Sequence, residues 1–221
     1  MNKNTFYEIL TEGSWIEAMK YKDSFIPKVL YKYYPIFDER YADFKKENED
    51  RFNTLRNNNI WVSSYKKFND PFEFKMLALD KKRLEDNNWE IRGIEETLEI
   101  FKERTLIACF SCDVNINMPL WTHYASNHSG YCIKYIVNKP RNIFPVSYEP
   151  TRSNTAVIPT NMIAEMYKSY SQKLKEPTEE FYRHFSYFYL SLTCKYKFWS
   201  YENEYRLLYP WVIPVDGLSV P

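Results

Sequence analysis

The chain has 221 residues, 30 Lys+Arg against 29 Asp+Glu, 44% hydrophobic and 19% aromatic residues, and only four glycines: Gly13, Gly93, Gly130 and Gly217. That length and apolar content suit one domain with a sizeable core, and the near-zero charge argues against coating nucleic acid by bulk electrostatics. Glycines so scattered exclude the phosphate-cradling loops of P-loop hydrolases and Rossmann dehydrogenases, and three histidines without His-Glu-x-x-His spacing exclude the common zinc peptidases. Residues 1–27 read as one or two short helices closed by Pro27, a helical extension on a single α+β domain. Their opening, MNKNTFYEIL, lacks a cationic stretch followed by an apolar run, so no signal peptide is expected. No apolar run approaches the ~20 residues that cross a bilayer. The four cysteines then read as reduced thiols of a cytoplasmic protein with no membrane partner.

Val29 to Tyr34 is β-branched and aromatic, and Pro35 ends it, which predicts a strand. Residues 41–57 carry Phe44, Asn48, Phe52 and Leu55 at helical spacing, and Asn57 to Asn59 tolerate the left-handed turn that stops a helix. Ile60 to Ser64 is a second strand, and Phe68-Asn-Asp-Pro-Phe-Glu73 is a turn in which Pro71 keeps Asp70 extended. A strand is expected near 72–79, a charged helix over 88–104 with Ile91, Ile94, Leu98 and Phe101 inward, and a strand over 106–112. Cys109-x-x-Cys112 lies in that strand and reads as buried thiols, since zinc needs two further ligands. Pro119 opens a short helix over 120–127, with Gly130 just beyond it. Strands follow at 131–137 and 144–148. Two helices form an insert over 160–195, the second with Phe181, Phe185, Phe188 and Leu192 inward. A strand over 203–209 and an extended tail complete the chain. Strands and helices mix without regular βαβ alternation, which predicts mixed or antiparallel sheets with flanking helices.

Three segments carry candidate chemistry. In Trp199-Ser-Tyr-Glu-Asn-Glu-Tyr-Arg206, strand alternation puts Glu202, Glu204, Arg206 and Leu208 on one face. Two such carboxylates suit a cleft that stabilises developing positive charge, one steadying the cation and one orienting a nucleophile. The same spacing also fits a solvated face on which Glu and Arg merely pair. In Trp121 to Gly130, His123 is a base, a ligand-contacting donor or a hydrogen-bonded core residue. His123 and His128 are five apart and do not share a helix face. The Phe68–Glu73 turn holds itself through Asn69 and Asp70, or offers Asp70 and Glu73 to a metal.

LYKYY at 30–34, IWVSSYKKFNDPFE at 60–73, ACFS at 108–111, LWTHYASNHSGYCIKY at 120–135 and KFWSYENEYRLL at 197–208 resemble, in order, the bacterial family called domain of unknown function 2971. That family brings no established activity. More distantly, the order strand, amphipathic helix, Asn-rich turn, strand is similar to the start of ADP-ribosyltransferases, and ENEYRLL resembles their last conserved block. The second resemblance implies two small sheets enclosing a cleft that holds NAD. It implies Glu204 on the nicotinamide ribose, Glu202 orienting the acceptor, Lys32 as the first-strand contact, and Ser63, Ser64 and Tyr65 beside the nicotinamide. Tyr34 and His123 complete the implied cofactor-binding set, with no metal. The pattern departs at Lys32, a point charge in place of His or Arg, and at Asn59, where glycine is usual.

The expected function is therefore an NAD-using ADP-ribosyltransferase-like effector that modifies a protein or nucleic acid. As a toxin or phage-defence component it would have an antitoxin or defence-system partner. Two alternatives stand beside it: a non-catalytic module binding nucleotide, nucleic acid or protein, and a metal-assisted hydrolase or nuclease using Asp70, Glu73, His123 or His128. The first reading expects Lys32, Ser64 and Glu204 to converge on one aromatic-lined cleft.

Overall fold

A computed structural model describes residues 1–68, 74, 77–113, 118–151, 153–155, 160–161, 164–165, 168, 172, 178–210 and 217–221. The architecture is α+β. The chain opens with α1 (Lys3–Glu12) and α2 (Trp15–Asp23), the latter started by a reciprocal capping box between Ser14 and Glu17. β1 (Val29–Tyr34) follows, then α3 (Phe44–Arg56), which Asn58 closes in the left-handed region at φ 54°. α3 is the helix expected there; Thr54 is buried on it, Phe44, Asn48 and Phe52 are half-buried, and Leu55 is exposed. β2 (Ile60–Ser64) runs into a 3-10 turn over Tyr65–Lys67. β3 (Leu77–Leu79), α4 (Lys81–Asp86) and α5 (Ile91–Glu103) come next. α4 was not expected from the pattern.

β4 (Thr105–Ser111) precedes α6 (Met118–Tyr124), which stops three residues short of the expected Asn127 because Ser126, Asn127 and His128 all turn left-handed. β5 (Tyr131–Ile136) is single, whereas the strand expected over 144–148 is two, β6 (Ile143–Pro145) and β7 (Ser147–Glu149). β8 (Ser153–Thr155), α7 (Glu179–Leu192), β9 (Cys194–Tyr196), β10 (Glu204–Pro210) and β11 (Gly217–Val220) complete the order. Of the first insert helix, residues 160–161, 164–165 and 168 are described and helical, and most of the Phe68–Glu73 turn, including Asp70 and Glu73, lies outside the described residues. Among the described residues no helix is long and apolar enough to cross a membrane.

Seven strands form one antiparallel sheet, and β3–β8 and β7–β9 are small parallel pairs. β10 pairs β4 along its whole length, from Glu204 opposite Ser111 to Pro210 opposite Thr105. The other edge of β4 is shared: β2 takes its start, with Ser63 opposite Ile107, and β1 its end, with Tyr31 opposite Ser111. β1 and β2 therefore leave β4 in different places and open a gap between them. β11, expected as an unpaired tail, instead covers the outer edge of β2 from Ile60 to Ser63.

One core lies between the α1–α2 hairpin, α7 and the sheet, centred on Phe6, Leu10, Ala18, Phe144, Phe188, Leu192 and Leu208. The other sheet face packs Leu30, Val62, Leu106, Ala108, Phe110 and Val220. The hairpin is pinned by fully buried Lys22, whose ammonium donates to the carbonyls of Pro140 (3.0 Å), Arg141 (2.8 Å) and Ile143 (2.8 Å). Burial lowers its pKa from 10.5 to about 8 against the opposing pull of Asp23. Between those two values the unfolded chain binds more protons, so this lysine's contribution to stability rises with pH. Urea unfolding is expected to show wild type gaining stability relative to Lys22→Met from pH 8 to 10.5; a flat or falling difference would contradict the buried charge.

Candidate active site

The gap between β1 and β2 opens into a cavity of about 340 Å³. Aromatic and charged side chains share its wall, with Tyr31, Tyr33, Tyr34, Trp61, Phe68 and Trp199 among the aromatic ones. Charge enters from Lys32 on β1, Glu47, Asp50 and Arg51 on α3, Lys67 after β2, Lys195 on β9, Glu202 before β10 and Glu204 on it.

The polar floor is a buried charge network. Lys195 stands between the two glutamates, 2.6 Å from Glu202 Oε2 and 3.2 Å from Glu204 Oε2. Arg206 Nε donates to Glu204 Oε1 at 2.7 Å and Nη2 to Oε2 at 3.2 Å, while Nη1 donates to the Leu192 carbonyl at 2.6 Å. Tyr124 on α6 donates its phenol to Glu202 Oε1 at 2.7 Å. The backbone N–H of Glu204 donates to the Tyr148 hydroxyl at 2.9 Å. None of these four charged side chains exceeds 5% exposure, so each needs its partners to offset the loss of water.

The two carboxylates differ in company. Burial, together with the nearby Glu204 charge, pushes the Glu202 carboxyl up to about 7. Burial acts on Glu204 in the same direction, but Arg206 and Lys195 outweigh it and hold that carboxyl well below the usual range. Lys32 reaches across to the Cys109 carbonyl at 3.4 Å and lies over the Tyr34 ring, and burial lowers its pKa. Burial likewise drives the Cys109 thiol well above its ordinary value.

Glu204, Arg206 and Leu208 share the buried face of β10, as alternation requires. Glu202 does not arrive by alternation. It ends a 3-10 turn over Lys197–Glu202, and Asn203, left-handed at φ 44°, swings the chain into β10. Lys32, Tyr34, Ser63, Glu202 and Glu204 all line the cavity. Three other expected contacts do not. Ser64 alternates away from Ser63, is buried, and accepts from the Lys66 N–H at 3.4 Å. Tyr65 packs edge-on against Phe74 in the helical core. His123 is exposed on α6, its ring 6.4 Å from Trp199. Convergence of Lys32 and Glu204 is thus met through Ser63, not Ser64.

Lys195 and Tyr124 carry the network; the sequence marks Tyr124 as one of the motif aromatics that could wall a cleft, and does not mark Lys195. Lys195 sits in a three-residue strand beside another lysine, Lys197, where nothing marks it as buried. Of the metal candidates, His123 and His128 are exposed, and among the described residues no group of three or more His, Cys, Asp or Glu could hold a metal ion. All four cysteines are free.

Gly130 fixes how α6 meets β1. A Cβ built there falls 2.2 Å from the Tyr34 carbonyl oxygen and 2.8 Å from the Ala125 Cα, both backbone atoms that cannot yield cheaply. Gly130→Ala is therefore expected to cost about 1–3 kcal/mol, read by denaturant unfolding, and to loosen the Tyr124 wall of the site. An unchanged midpoint would show that the two backbones are not held this close.

Residues 120–207 match the family described as "Protein of unknown function (DUF2971)", and the chain resembles that family over this segment. No curated protein and no solved structure matches the chain. Tyr124, Lys195, Glu202, Glu204 and Arg206, the whole buried network, lie inside the matched segment.

Proposed function

We propose that the cavity binds NAD and that the chain is an ADP-ribosyltransferase-like effector, breaking the nicotinamide–ribose bond and passing ADP-ribose to a protein or nucleic-acid acceptor. The observation that carries this reading is Glu204, an ionised carboxylate held by Arg206 and Lys195 at the edge of an aromatic cavity. When the glycosidic bond breaks, nicotinamide leaves with the electron pair and the ribose carbon gains positive charge. A preorganised carboxylate with little water around it stabilises that charge more strongly than one in bulk solvent. Tyr31, Trp61 and Trp199 offer rings for the nicotinamide, and Lys32 and Lys67 offer positive charge for the diphosphate, whereas Arg51 pairs with Glu47 at 2.9 Å and lies beside Asp50. At about 340 Å³ the cavity is near the lower limit for small-molecule sites. The reading accordingly has the nicotinamide end inside and the adenosine end outside. Glu202, the carboxylate with the raised pKa, would orient the acceptor.

One observation favours a second reading, a nucleotide-binding module without catalysis. Every oxygen of Glu202 and Glu204 already accepts from Tyr124, Lys195 or Arg206. Glu202 accepts one bond at each oxygen and keeps a lone pair on each for a ligand hydroxyl, whereas Glu204 accepts from Lys195, twice from Arg206 and from the Cys109 thiol, so a ribose hydroxyl must displace one of these donors. Incubation with NAD and proton NMR of the products separates the two. Free nicotinamide above a protein-free blank supports cleavage. Binding seen as quenching of tryptophan fluorescence, with NAD left intact, supports the module.

A further inference from the structure

Glu202 and Glu204 are unequal by construction. Glu204 faces two cations, since Arg206 grips both its oxygens and Lys195 touches one. Glu202 faces one cation, Lys195, and one neutral donor, Tyr124. The lysine is itself fixed: it is 5% exposed, springs from a strand paired to β7, and has its ammonium 4.8 Å from the centre of the Trp199 ring. Among the described residues it pairs with both carboxylates, at 2.6 Å from Glu202 and 3.2 Å from Glu204.

We propose that Lys195 is a positioning residue that sets the affinity of the site's exchangeable proton: Arg206 keeps Glu204 ionised and makes Glu202 the carboxyl that protonates, and Lys195, bridging the two, controls how tightly Glu202 holds that proton. This deepens the NAD-cleavage reading, on which its catalytic meaning rests, because it makes the acceptor-side carboxylate the one that titrates. The groups facing Glu202 are Lys195 from β9, Glu204 from β10, Tyr124 from α6, and, more weakly, Tyr148 from β7 and the adjoining Tyr201. Burial and Glu204 favour its protonated form, and Lys195 and Tyr124 oppose them. The balance puts its titration at about 7, where small changes in Lys195 are visible. Without the lysine, the two buried carboxylates would keep Arg206 on Glu204, the more distant Lys32, and the Tyr124 phenol on Glu202 to offset them. The second proton would then bind far more tightly.

The test is carbon-13 NMR titration of the ligand-free protein labelled at glutamate side-chain carboxyls, which needs neither NAD nor turnover. Wild type is expected to show one glutamate titrating near neutral pH, and Glu202→Gln to remove that signal alone. Lys195→Met should move it up by at least about one pH unit, a tenfold change in proton affinity, and Lys195→Arg should return it close to wild type. A merely structural lysine would alter the melting temperature without moving that midpoint. If Lys195→Met does not fold, Tyr124→Phe, which removes the other opposing group, must raise the midpoint in the same direction. The proposal is overturned by an unmoved midpoint in Lys195→Met, or, where that variant does not fold, in Tyr124→Phe. A neutral titration that survives Glu202→Gln overturns it too. Failure of NAD cleavage with these shifts intact would count against the reaction and not against the proton assignment.

Discussion

Glu204→Gln is expected to lower nicotinamide release from NAD by at least about 100-fold, because it removes the charge that the ribose cation would meet in the transition state. The substitution preserves shape and one acceptor oxygen. It leaves Arg206 and Lys195, both essentially without solvent, facing an amide. Some stability is lost with the charge, so both proteins are compared below both melting temperatures. The loss should appear in kcat with little change in the apparent NAD affinity. A weaker affinity at undiminished kcat would make Glu204 a binding group, and equal release in both proteins would remove it from the reaction.

Arg206→Met is expected to destabilise the fold by about 3–5 kcal/mol, which for a chain of this size lowers the melting temperature by roughly 6–20 °C. Arg206 is fully buried, shielded by Phe68 and Phe74, and it joins Glu204 on β10 to the last carbonyl turn of α7 at Leu192. Methionine fills similar space but leaves a buried carboxylate with Lys195 as its remaining cation and the Leu192 carbonyl without this donor. Removing one partner of a buried pair costs far more than the pair's net contribution, since the orphaned charge cannot reach water. The double variant Arg206→Met with Glu204→Leu removes both charges and should recover part of the loss. A single variant that melts with wild type would mean the network is not closed to solvent.

Much of the scaffold was legible because its elements advertise themselves locally. Val29 to Tyr34 and Ile60 to Ser64 are dense in β-branched and aromatic residues, and both are strands with the expected bounds. The inward faces of α5 and α7 follow the 3.6-residue period, with Ile94, Phe188 and Leu192 buried. What local pattern could not supply was pairing. β11 looked like a tail because Gly217 to Val220 is short, and only its partnership with β2 makes it a strand. α3 carried the period of a packed helix, yet its apolar positions remain largely half-exposed over the sheet edge.

The site divides along the same line. Glu204 and Arg206 were readable as one face of a strand, and the structure adds that this face is inward. Ser63 and Ser64 could not be told apart, because a strand's two faces are defined only by what each packs against. Glu202 was assigned to the correct neighbourhood by incorrect geometry, since a left-handed Asn203 is invisible to alternation. Lys195 was illegible altogether. A lysine is ordinarily a surface residue, and its burial here follows from two carboxylates that the chain brings to it from seven and nine residues away.

The central claim is that NAD enters the gap between β1 and β2 with its scissile bond beside Glu204. The most direct measurement is a crystal structure of the Glu204→Gln protein soaked with NAD, in which turnover is suppressed. The nicotinamide ring is expected among Tyr31, Trp61 and Trp199, with the attached ribose within hydrogen-bond reach, about 3 Å, of residue 204. NAD bound elsewhere on the chain, or seated in the cavity with its ribose turned away from residue 204, would contradict it.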